Sequence, residues 1–448
     1  MSTLATPRPD GLPFWLDIDR PRYPRLEHNL TANVVVVGAG ISGLKLARCL
    51  SRHGFDVVVV EAGRVGDGAC GRNQGCITHA AGSYADFSQT HSRELARDLW
   101  RLGLESHRLI RAQIEEYEIE CDYQVSGLLN LVRPDTPGWE QQLAAYRKDC
   151  LLLCEDGFDA VMLDADETQE RSGSPFPVAA FAQWEAAQFH SGKYVIGLAR
   201  GISRHRNVHL FEETRAQRIE LCGNTVRLHT SGGVVAAERV FLATNALAPQ
   251  FVPALERGLR AERGQVFVTG PLVERPCHGC CGGVLAWWRE IIEDDGRYRL
   301  LFGGGRRRDE PDSLFPQFTE NGLPHPQLES EGFRPSSEHQ HRLDTQFAIF
   351  FPHLAEVPIT HRWGGLQSFT YDDLPMIGEF DPSRRVHGIA GLSGKGNCYA
   401  DVGAEFLAGQ AAGVESDIEI RYGSLIERVL KPGRDTANWE AWETTHRA

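Results

Sequence analysis

The sequence predicts an α/β fold in which a discontinuous, Rossmann-like parallel sheet is interleaved with a second, α+β part built on an antiparallel sheet. Two observations predict the parallel sheet: residues 33–61 read as strand, glycine turn, helix and strand, and the same alternation returns in 208–245 and 361–415. A third observation predicts the second part, because residues 91–164 and 265–360 break this alternation.

The chain begins with a segment that carries several prolines and no periodic pattern, so residues 1–32 are predicted to form an extended arm on the surface. A globular unit starts at Asn33, where VVVVG indicates a buried strand. DVVVVE indicates the second strand. The helix predicted between them over 41–53 ends before Gly54 and has one apolar face, formed by Ile41, Leu44, Ala47 and Leu50.

The remaining elements follow from the same periodicities. Helices are predicted near 92–120, 138–153 and 338–350, and a hairpin is predicted to turn at Gly232-Gly233 and lead into a buried strand. The antiparallel part takes its strands from LLNLV, QVFVTG, VLAWW and YRLLFGG. From these patterns we predict a nucleotide-binding domain at 33–90, 165–264 and 361–415, a second domain at 91–164 and 265–360, and a C-terminal appendage at 416–448 with one short helix, SLIERVL.

Composition excludes several classes of partner. The net charge of -13 disfavours nucleic acids and anionic membranes, which attract basic surfaces. No apolar run reaches the roughly 20 residues that span a bilayer, and the polar start lacks a secretory signal, so we expect a soluble, cytoplasmic protein. Eleven cysteines are expected to be reduced. Cys277, His278, Cys280 and Cys281 lack a second ligand pair, so no metal site is expected.

The glycine turn GAGISG has the context of a dinucleotide site, because it lies directly between a strand and a helix. Gly38 permits the tight turn, Gly40 lets the backbone approach a pyrophosphate, and Gly43 lets the helix pack closely. Glu61 ends the next strand, 18 residues after Gly43. A carboxylate there accepts hydrogen bonds from ribose hydroxyls and repels a 2′-phosphate, which favours FAD or NAD over NADP.

The segment that follows Glu61 carries a resemblance to a known family. The glycine-rich stretch 62–75 ends in Arg72-Asn73-Gln74-Gly75, which resembles the Arg-Asn-Gly-Gly run of the gamma-glutamylputrescine-type amine oxidases in the glycine/D-amino acid oxidase (DAO) superfamily. Four later motifs are similar to motifs of the same superfamily in the same order, at 242–247, 264–272, 372–378 and 391–396. The resemblance spans residues 33–415 and implies that the cofactor is FAD.

The glycine turn and the resemblance together predict the cofactor site. The segment 391–397 is expected to lie at the flavin, where its glycines let backbone N–H groups approach the ring. The predicted FAD-binding residues are Gly38, Gly40, Ile41, Ser42, Gly43, Glu61, Ala62, Arg72, Asn73, Gln74, Ala216, Thr244, Asn245, Gly365, Gly391, Gly394, Lys395 and Gly396.

Two residues are candidates for catalysis. Lys395 stands where the superfamily usually has His between two glycines, so it is expected to stabilise negative charge on the flavin; the alternative is a solvated surface lysine. His79 is expected to face the substrate or to be a hydrogen-bonded structural histidine. Relatives with covalent flavin use a Cys where this chain has Gly364-Gly365-Leu366-Gln367, and His79 is out of register for the other attachment, so noncovalent FAD is expected.

The resemblance implies that a primary or secondary amine or amino acid is oxidised at its C–N bond, giving an imine that hydrolyses. Dioxygen or a quinone is the expected electron acceptor; Arg299 stands where some oxidases place a lysine, which leaves a dehydrogenase open. Oxidation of a 2-hydroxy acid and a flavin-binding protein without turnover are the alternatives. The substrate candidates are Trp287, Trp288, Phe302, Phe351, Trp363, Arg289 and Arg306 to Arg308.

Overall fold

A computed structural model describes residues 11–79, 82–283, 286–304 and 332–434. Its strands are β1 Leu30–Thr31, β2 Val34–Val37, β3 Val57–Val60, β4 Cys76–Ile77, β5 Gln124–Val125, β6 Leu128–Val132, β7 Val161–Leu163, β8 Ala179–Gln183, β9 Ala187–Gln188, β10 Val208–Phe211, β11 Ala216–Cys222, β12 Thr225–Thr230, β13 Val234–Ala237, β14 Arg239–Leu242, β15 Arg260–Thr269, β16 Cys280–Gly282, β17 Ala286–Ile292, β18 Tyr298–Gly304, β19 Ile359–Phe369, β20 Met376–Glu379 and β21 Val386–Ala390. Its α-helices are α1 Ile41–Arg52, α2 Tyr84–Thr90, α3 Arg93–Glu116, α4 Trp139–Glu155, α5 Ala165–Ser172, α6 Ser191–Ile202, α7 Ser337–Phe350, α8 Gly396–Ala412 and α9 Asp417–Leu425.

A six-stranded sheet carries the glycine turn. Its order is β10-β3-β2-β14-β21-β20, and all neighbours are parallel except the pair β20 and β21. Every residue of β2 and β3 is a buried valine, as expected for central parallel strands that are covered on both faces. The predicted strand, turn, helix and strand are therefore confirmed, and α8 packs against α1.

An eight-stranded, largely antiparallel sheet forms the second part, in the order β19-β15-β18-β17-β16-β6-β8-β7. The predicted boundaries differ from the sheet, most clearly at two of its strands. β8 and most of β19 belong to this sheet, although the sequence limits 165–264 and 361–415 put them in the nucleotide-binding domain. Both strands are largely buried, and a buried apolar run does not indicate which sheet it joins.

Two smaller sheets complete the strand pairing. One has the order β1-β13-β12-β11, and the other has the order β4-β9-β5. β12 and β13 pair in antiparallel fashion on either side of Gly232-Gly233, which confirms the predicted hairpin. β13 is followed directly by β14, so the hairpin leads into the parallel sheet as expected.

The described parts of the N-terminal arm and of the C-terminal tail are more buried than the sequence suggests. The predicted surface arm buries Trp15, which is 0% exposed, together with Leu16 and Leu26. The predicted appendage packs into the same apolar cluster as α1 and α8 over its described part, through Ile418, Tyr422, Leu425, Ile426, Val429 and Leu430. These tail residues recur at spacings of three and four, which is the apolar face of a helix that extends beyond the predicted SLIERVL. Residues 1–10 and 435–448 lie outside the described residues.

A buried polar network joins four of the helices. Lys45 of α1 is 0% exposed and forms an ion pair with the carboxylate of Asp401 in α8. Gln113 of α3 donates its amide N–H to the same carboxylate, and the Tyr194 hydroxyl of α6 donates to Gln113 Oε1 at 2.7 Å. The network fixes α1 against α8, the two helices whose first turns border the site described next.

Candidate active site

A cavity of about 1230 Å³ lies between the six-stranded sheet and the eight-stranded sheet. Its wall includes the glycine turn, the loop after β3, the residues after β14, the first turn of α8 and one face of α4. Most of the predicted cofactor residues line it: Gly38, Gly40, Ile41, Ser42, Glu61, Ala62, Arg72, Asn73, Gln74, Ala216, Thr244, Asn245, Gly365, Gly394, Lys395 and Gly396. These residues, selected from the sequence, therefore lie together on the wall of one cavity.

The glycine turn has the geometry that its sequence predicts. Gly38 has a φ of +104°, and a Cβ atom there would lie 2.7 Å from the carbonyl oxygen of Ala243. A Cβ atom on Gly43 would lie 1.8 Å from the carbonyl oxygen of Gly38, so the helix packs directly on the turn. Gly43 thus shapes the turn from behind and does not line the cavity. Gly40 lines the cavity immediately before the first residue of α1.

Glu61 connects the glycine turn to the loop after β3. Its Oε2 accepts a hydrogen bond from the backbone N–H of Ala39 at 2.8 Å, and its Oε1 accepts one from Gly63 at 2.9 Å. Burial raises the pKa of this carboxyl, while the two N–H donors oppose that shift. Glu61 therefore both positions the turn and presents a carboxylate to the cavity.

Changing Glu61 to Gln is expected to weaken FAD retention by about 1–3 kcal/mol, because a charged acceptor is lost. The amide also cannot accept from both N–H groups through two oxygens. The dissociation constant of FAD, measured by titrating the apoprotein, checks this. Glu238→Gln, at an exposed position between β13 and β14, is the control. An unchanged dissociation constant in Glu61→Gln would contradict the predicted role.

The Arg-Asn-Gln run holds the loop in place by contacts to backbone groups. The Arg72 guanidinium donates to the carbonyl oxygens of Asp67, Phe333 and Gly364 at 2.7, 3.1 and 3.1 Å, and burial lowers its pKa to about 10. Asn73 Oδ1 accepts from the backbone N–H of Gly75 at 2.6 Å. The side chains therefore organise the loop, and the loop lines the cavity.

Two tryptophans hold the same loop from behind. Trp363 Nε1–H donates to the carbonyl oxygen of Arg72 at 2.9 Å, and Trp15 Nε1–H donates to the carbonyl oxygen of Asn73 at 2.7 Å. Both indoles are fully buried. The sequence analysis missed Trp15, although the apolar residues Phe14, Trp15 and Leu16 inside the predicted surface arm were a signal of burial.

Changing Trp15 to Phe is expected to weaken FAD binding roughly 5- to 150-fold, because the Asn73 carbonyl loses its buried donor and the loop loosens. The dissociation constant of FAD is again the measurement. Trp139→Phe, at the start of α4 and outside the cavity wall, is the matched control. Equal FAD affinities in the two variants would show that Trp15 serves packing alone.

Several polar atoms of the cavity wall fit a bound dinucleotide. Thr244 Oγ1 and Asn397 Oδ1 are buried and have no hydrogen-bond partner among the residues that the structure describes. Buried polar groups are almost always satisfied, and a dinucleotide bound in the cavity would supply partners for these two atoms. Gly391 differs from the prediction: it does not line the cavity, and a Cβ atom there would lie 2.5 Å from Thr370 Cγ2, so it shapes the turn before Ser393.

Lys395 lies in the cavity wall directly before the first residue of α8. Its side chain is half-buried. Burial lowers the pKa of its ammonium group, and the nearby Asp373 opposes that shift. The N-terminus of α8 adds positive potential at the same point of the cavity.

His79 does not line the cavity. It is 1% exposed, its Nε2 lies 3.3 Å from Glu185 Oε2, and its ring packs against Trp100 and His107. His79 therefore does not face the cavity that would hold substrate and flavin. The alternative, a hydrogen-bonded structural histidine, fits its contacts. Residues alternate in direction along an extended chain, so Cys76 and Thr78 reach the cavity while His79 points away.

We expect FAD to be held without a covalent bond, because His79 points away from the cavity and Gly365 occupies the other attachment position. Acid precipitation of the yellow protein should release all of the FAD into the supernatant. Flavin fluorescence that migrates with the denatured polypeptide on a gel would contradict this expectation.

The wall away from the glycine turn carries residues that sequence analysis did not select. Gln142, Ala145, Tyr146 and Asp149 of α4 line the cavity, and their spacing of three, four and seven residues puts them on one helix face. The spacing was visible in the sequence, but nothing marked this face as the one that borders a cavity.

The predicted substrate residues are mostly structural. Trp287 lines the cavity, whereas Trp288, Phe302, Phe351 and Trp363 lie in apolar clusters. Arg289 is buried and donates to the carbonyl oxygens of Gly75, Phe189 and Glu290. Arg306 to Arg308 lie outside the described residues.

The ranges 11–79, 82–283, 286–304 and 332–434 contain neither a candidate metal site nor a membrane-spanning helix. There, no three His, Cys, Asp or Glu side chains converge where they could hold a metal ion. In the same ranges, every helix is too short or too polar to cross a membrane.

Known proteins resemble this chain over most of its length. The probable oxidoreductase OrdL of Rhizobium meliloti (strain 1021) is 27% identical over 421 residues, covering 90% of this chain and 88% of that protein. The gamma-glutamylputrescine oxidoreductase of Escherichia coli (strain K12) is 27% identical over 405 residues, covering 87% and 86%. The crystal structure of L-proline dehydrogenase from P. horikoshii matches the fold with a TM-score of 0.70 at 18% identity, covering 89% and 96%. The family model described as FAD dependent oxidoreductase (DAO) matches residues 33–410, and the chain belongs to this family.

Proposed function

We propose that the protein oxidises the C–N bond of a primary or secondary amine or amino acid, giving an imine that water hydrolyses. The observation that carries this proposal is the continuity of one cavity from the dinucleotide turn to the polar face of α4, which gives a small substrate room beside the cofactor. The similarity to gamma-glutamylputrescine oxidoreductase over 87% of the chain supports an amine as substrate.

The chain's own residues bind and orient the reactants. Bound FAD supplies the acceptor for the hydride that leaves the substrate carbon. Glu61 and the glycine turn are proposed to hold the adenosine and pyrophosphate part, and the Arg72-Asn73-Gln74 loop is proposed to cover the flavin. Lys395 and the first turn of α8 are proposed to stabilise negative charge at the flavin.

Anaerobic mixing with a panel of amines, amino acids and 2-hydroxy acids tests the proposal. Loss of the yellow flavin colour with an amine or amino acid, and a carbonyl product after hydrolysis, are the expected results. Bleaching by 2-hydroxy acids alone would overturn the proposal. The hydroxy-acid alternative rests on a resemblance of the run from Asn73 to His79 to hydroxy-acid-oxidising members of the superfamily, but His79 is buried and does not line the cavity.

We further propose dioxygen or a quinone as the electron acceptor. Arg299, which stands at the strand position where some oxidases have a lysine, donates to Glu293 and to the carbonyl oxygen of Thr269 and does not line the cavity. Comparing oxygen consumption with reduction of a quinone dye during amine turnover distinguishes an oxidase from a dehydrogenase.

A further inference from the structure

The α4 part of the cavity wall carries a single charged side chain. Asp149 is the last of the four cavity-lining residues on this helix face, and it is 4% exposed. The other charged residues of the wall, among them Glu61, Arg72 and Lys395, belong to the glycine turn, the loop after β3 and the elements beside them. Asp149 is therefore the acid that can give the α4 wall a negative charge.

The surroundings of Asp149 donate hydrogen bonds to one of its oxygens but supply no cation among the described residues. Its Oδ1 accepts from Ser83 Oγ at 2.8 Å and from the backbone N–H of Ala85 at 2.8 Å. Within the described part of the chain, no Lys, Arg or His forms an ion pair with it. Burial raises the pKa of the carboxyl, and the hydrogen bonds from Ala85 and Ser83 oppose that shift.

Capping of α2 does not require an acid at this position, although Asp149 accepts a hydrogen bond from Ala85 in the first turn of that helix. Ser83 already caps α2, since its side chain accepts a hydrogen bond from the backbone N–H of Asp86. A neutral Asn could accept from Ser83 and Ala85 equally well. The aromatic ring of Tyr146, one helical turn away in the same wall, is a second group that attracts cations.

We propose that Asp149 binds a second cationic group of the amine substrate, so that the preferred substrates are diamines or amines that carry another ammonium group. This inference rests on the proposed function, which supplies the amine that is oxidised beside FAD. One ammonium group is held at the α4 wall while the carbon next to the other nitrogen is presented to the cofactor.

The test uses the FAD-loaded enzyme with straight-chain diamines and monoamines of equal chain length. In the wild-type protein, kcat/KM for the best diamine should exceed that of its matched monoamine by roughly 10- to 100-fold, the range expected for a buried charge-assisted contact. Asp149→Asn keeps the acceptor for Ser83 and Ala85 but removes the charge, so the ratio should fall to about one. Glu140→Gln removes one charge from an exposed position on the same helix and should leave the ratio unchanged.

Calorimetric titration of the oxidised holoenzyme with the same amines separates this inference from the proposed function. A wild-type ratio near one, or an equal loss of selectivity in Glu140→Gln and Asp149→Asn, would overturn the assignment of Asp149. If no amine bleaches the flavin, the proposed function fails. The calorimetric affinities then test the assignment of Asp149 by themselves. Tighter binding of diamines that Asp149→Asn abolishes supports the site, whereas equal binding of diamines and monoamines refutes it.

Discussion

Replacing Lys45 with Met should lower the free energy of unfolding by about 3–5 kcal/mol, because the variant leaves the buried carboxylate of Asp401 without its cation. Gln113 would still donate to Asp401, but a neutral amide does not compensate a full charge. Urea unfolding at saturating FAD measures the effect, so that loss of cofactor does not enter the comparison. Lys148→Met, at an exposed position of α4, should change stability by less than about 0.5 kcal/mol.

The double variant Lys45→Met with Asp401→Asn tests the cause of this loss. If the uncompensated charge is responsible, removing both charges should cost less than removing the lysine alone. A Lys45→Met variant as stable as Lys148→Met would show that the pair contributes no net stability. A double variant less stable than Lys45→Met alone would assign the loss to packing or to other hydrogen bonds.

Replacing Lys395 with Met should lower the midpoint potential of the bound flavin and slow its reduction by substrate roughly 10- to 1000-fold, the range for loss of one preorganised electrostatic contact. Met keeps most of the stem and removes the cation from the cavity wall. The ammonium has a lowered pKa, so the wild-type advantage should decline as the pH rises through that value, below the ordinary range for lysine. Spectroelectrochemistry and anaerobic stopped-flow mixing measure both quantities.

Folding and FAD content should barely change in Lys395→Met, since the residue is half-buried and lies between two glycines. Lys431→Met, at an exposed position after the tail helix, is the matched control. If potential and reduction rate are the same in both variants, Lys395 has no electrostatic role, and the charge on the flavin would be balanced by backbone N–H groups of the same loop.

The cofactor half of the cavity was predictable because its residues have local signatures. The glycine turn at Gly38, the carboxylate at Glu61 and the glycines around Lys395 each depend on a few neighbouring residues. The α4 face and Trp15 were missed because their roles arise only from tertiary contacts. An apolar or amphipathic pattern predicts burial, but it does not say whether the partner is a core, a loop or a cavity.

The predictions that differed from the structure have similar causes. His79 lies within three residues of the cavity-lining Cys76, yet the direction of one side chain depends on the local backbone path. The tail beyond Ser416 has a helical apolar face, but a short amphipathic helix at a chain end looks the same whether it packs on the domain or lies on its surface. The limits 165–264 and 361–415 include strands of the eight-stranded sheet because a buried strand does not identify its sheet by sequence.

The dispersed origin of the cavity wall has a consequence for biosynthesis. Residues of the wall come from the arm near Gly11, from the glycine turn and from the start of α8 near Asn397, so segments far apart in the chain must meet to enclose the cavity. The glycine turn can form early, but the surface that would enclose the cofactor is incomplete until the first turn of α8 has been translated. Stable binding of FAD is therefore expected only after synthesis has passed α8.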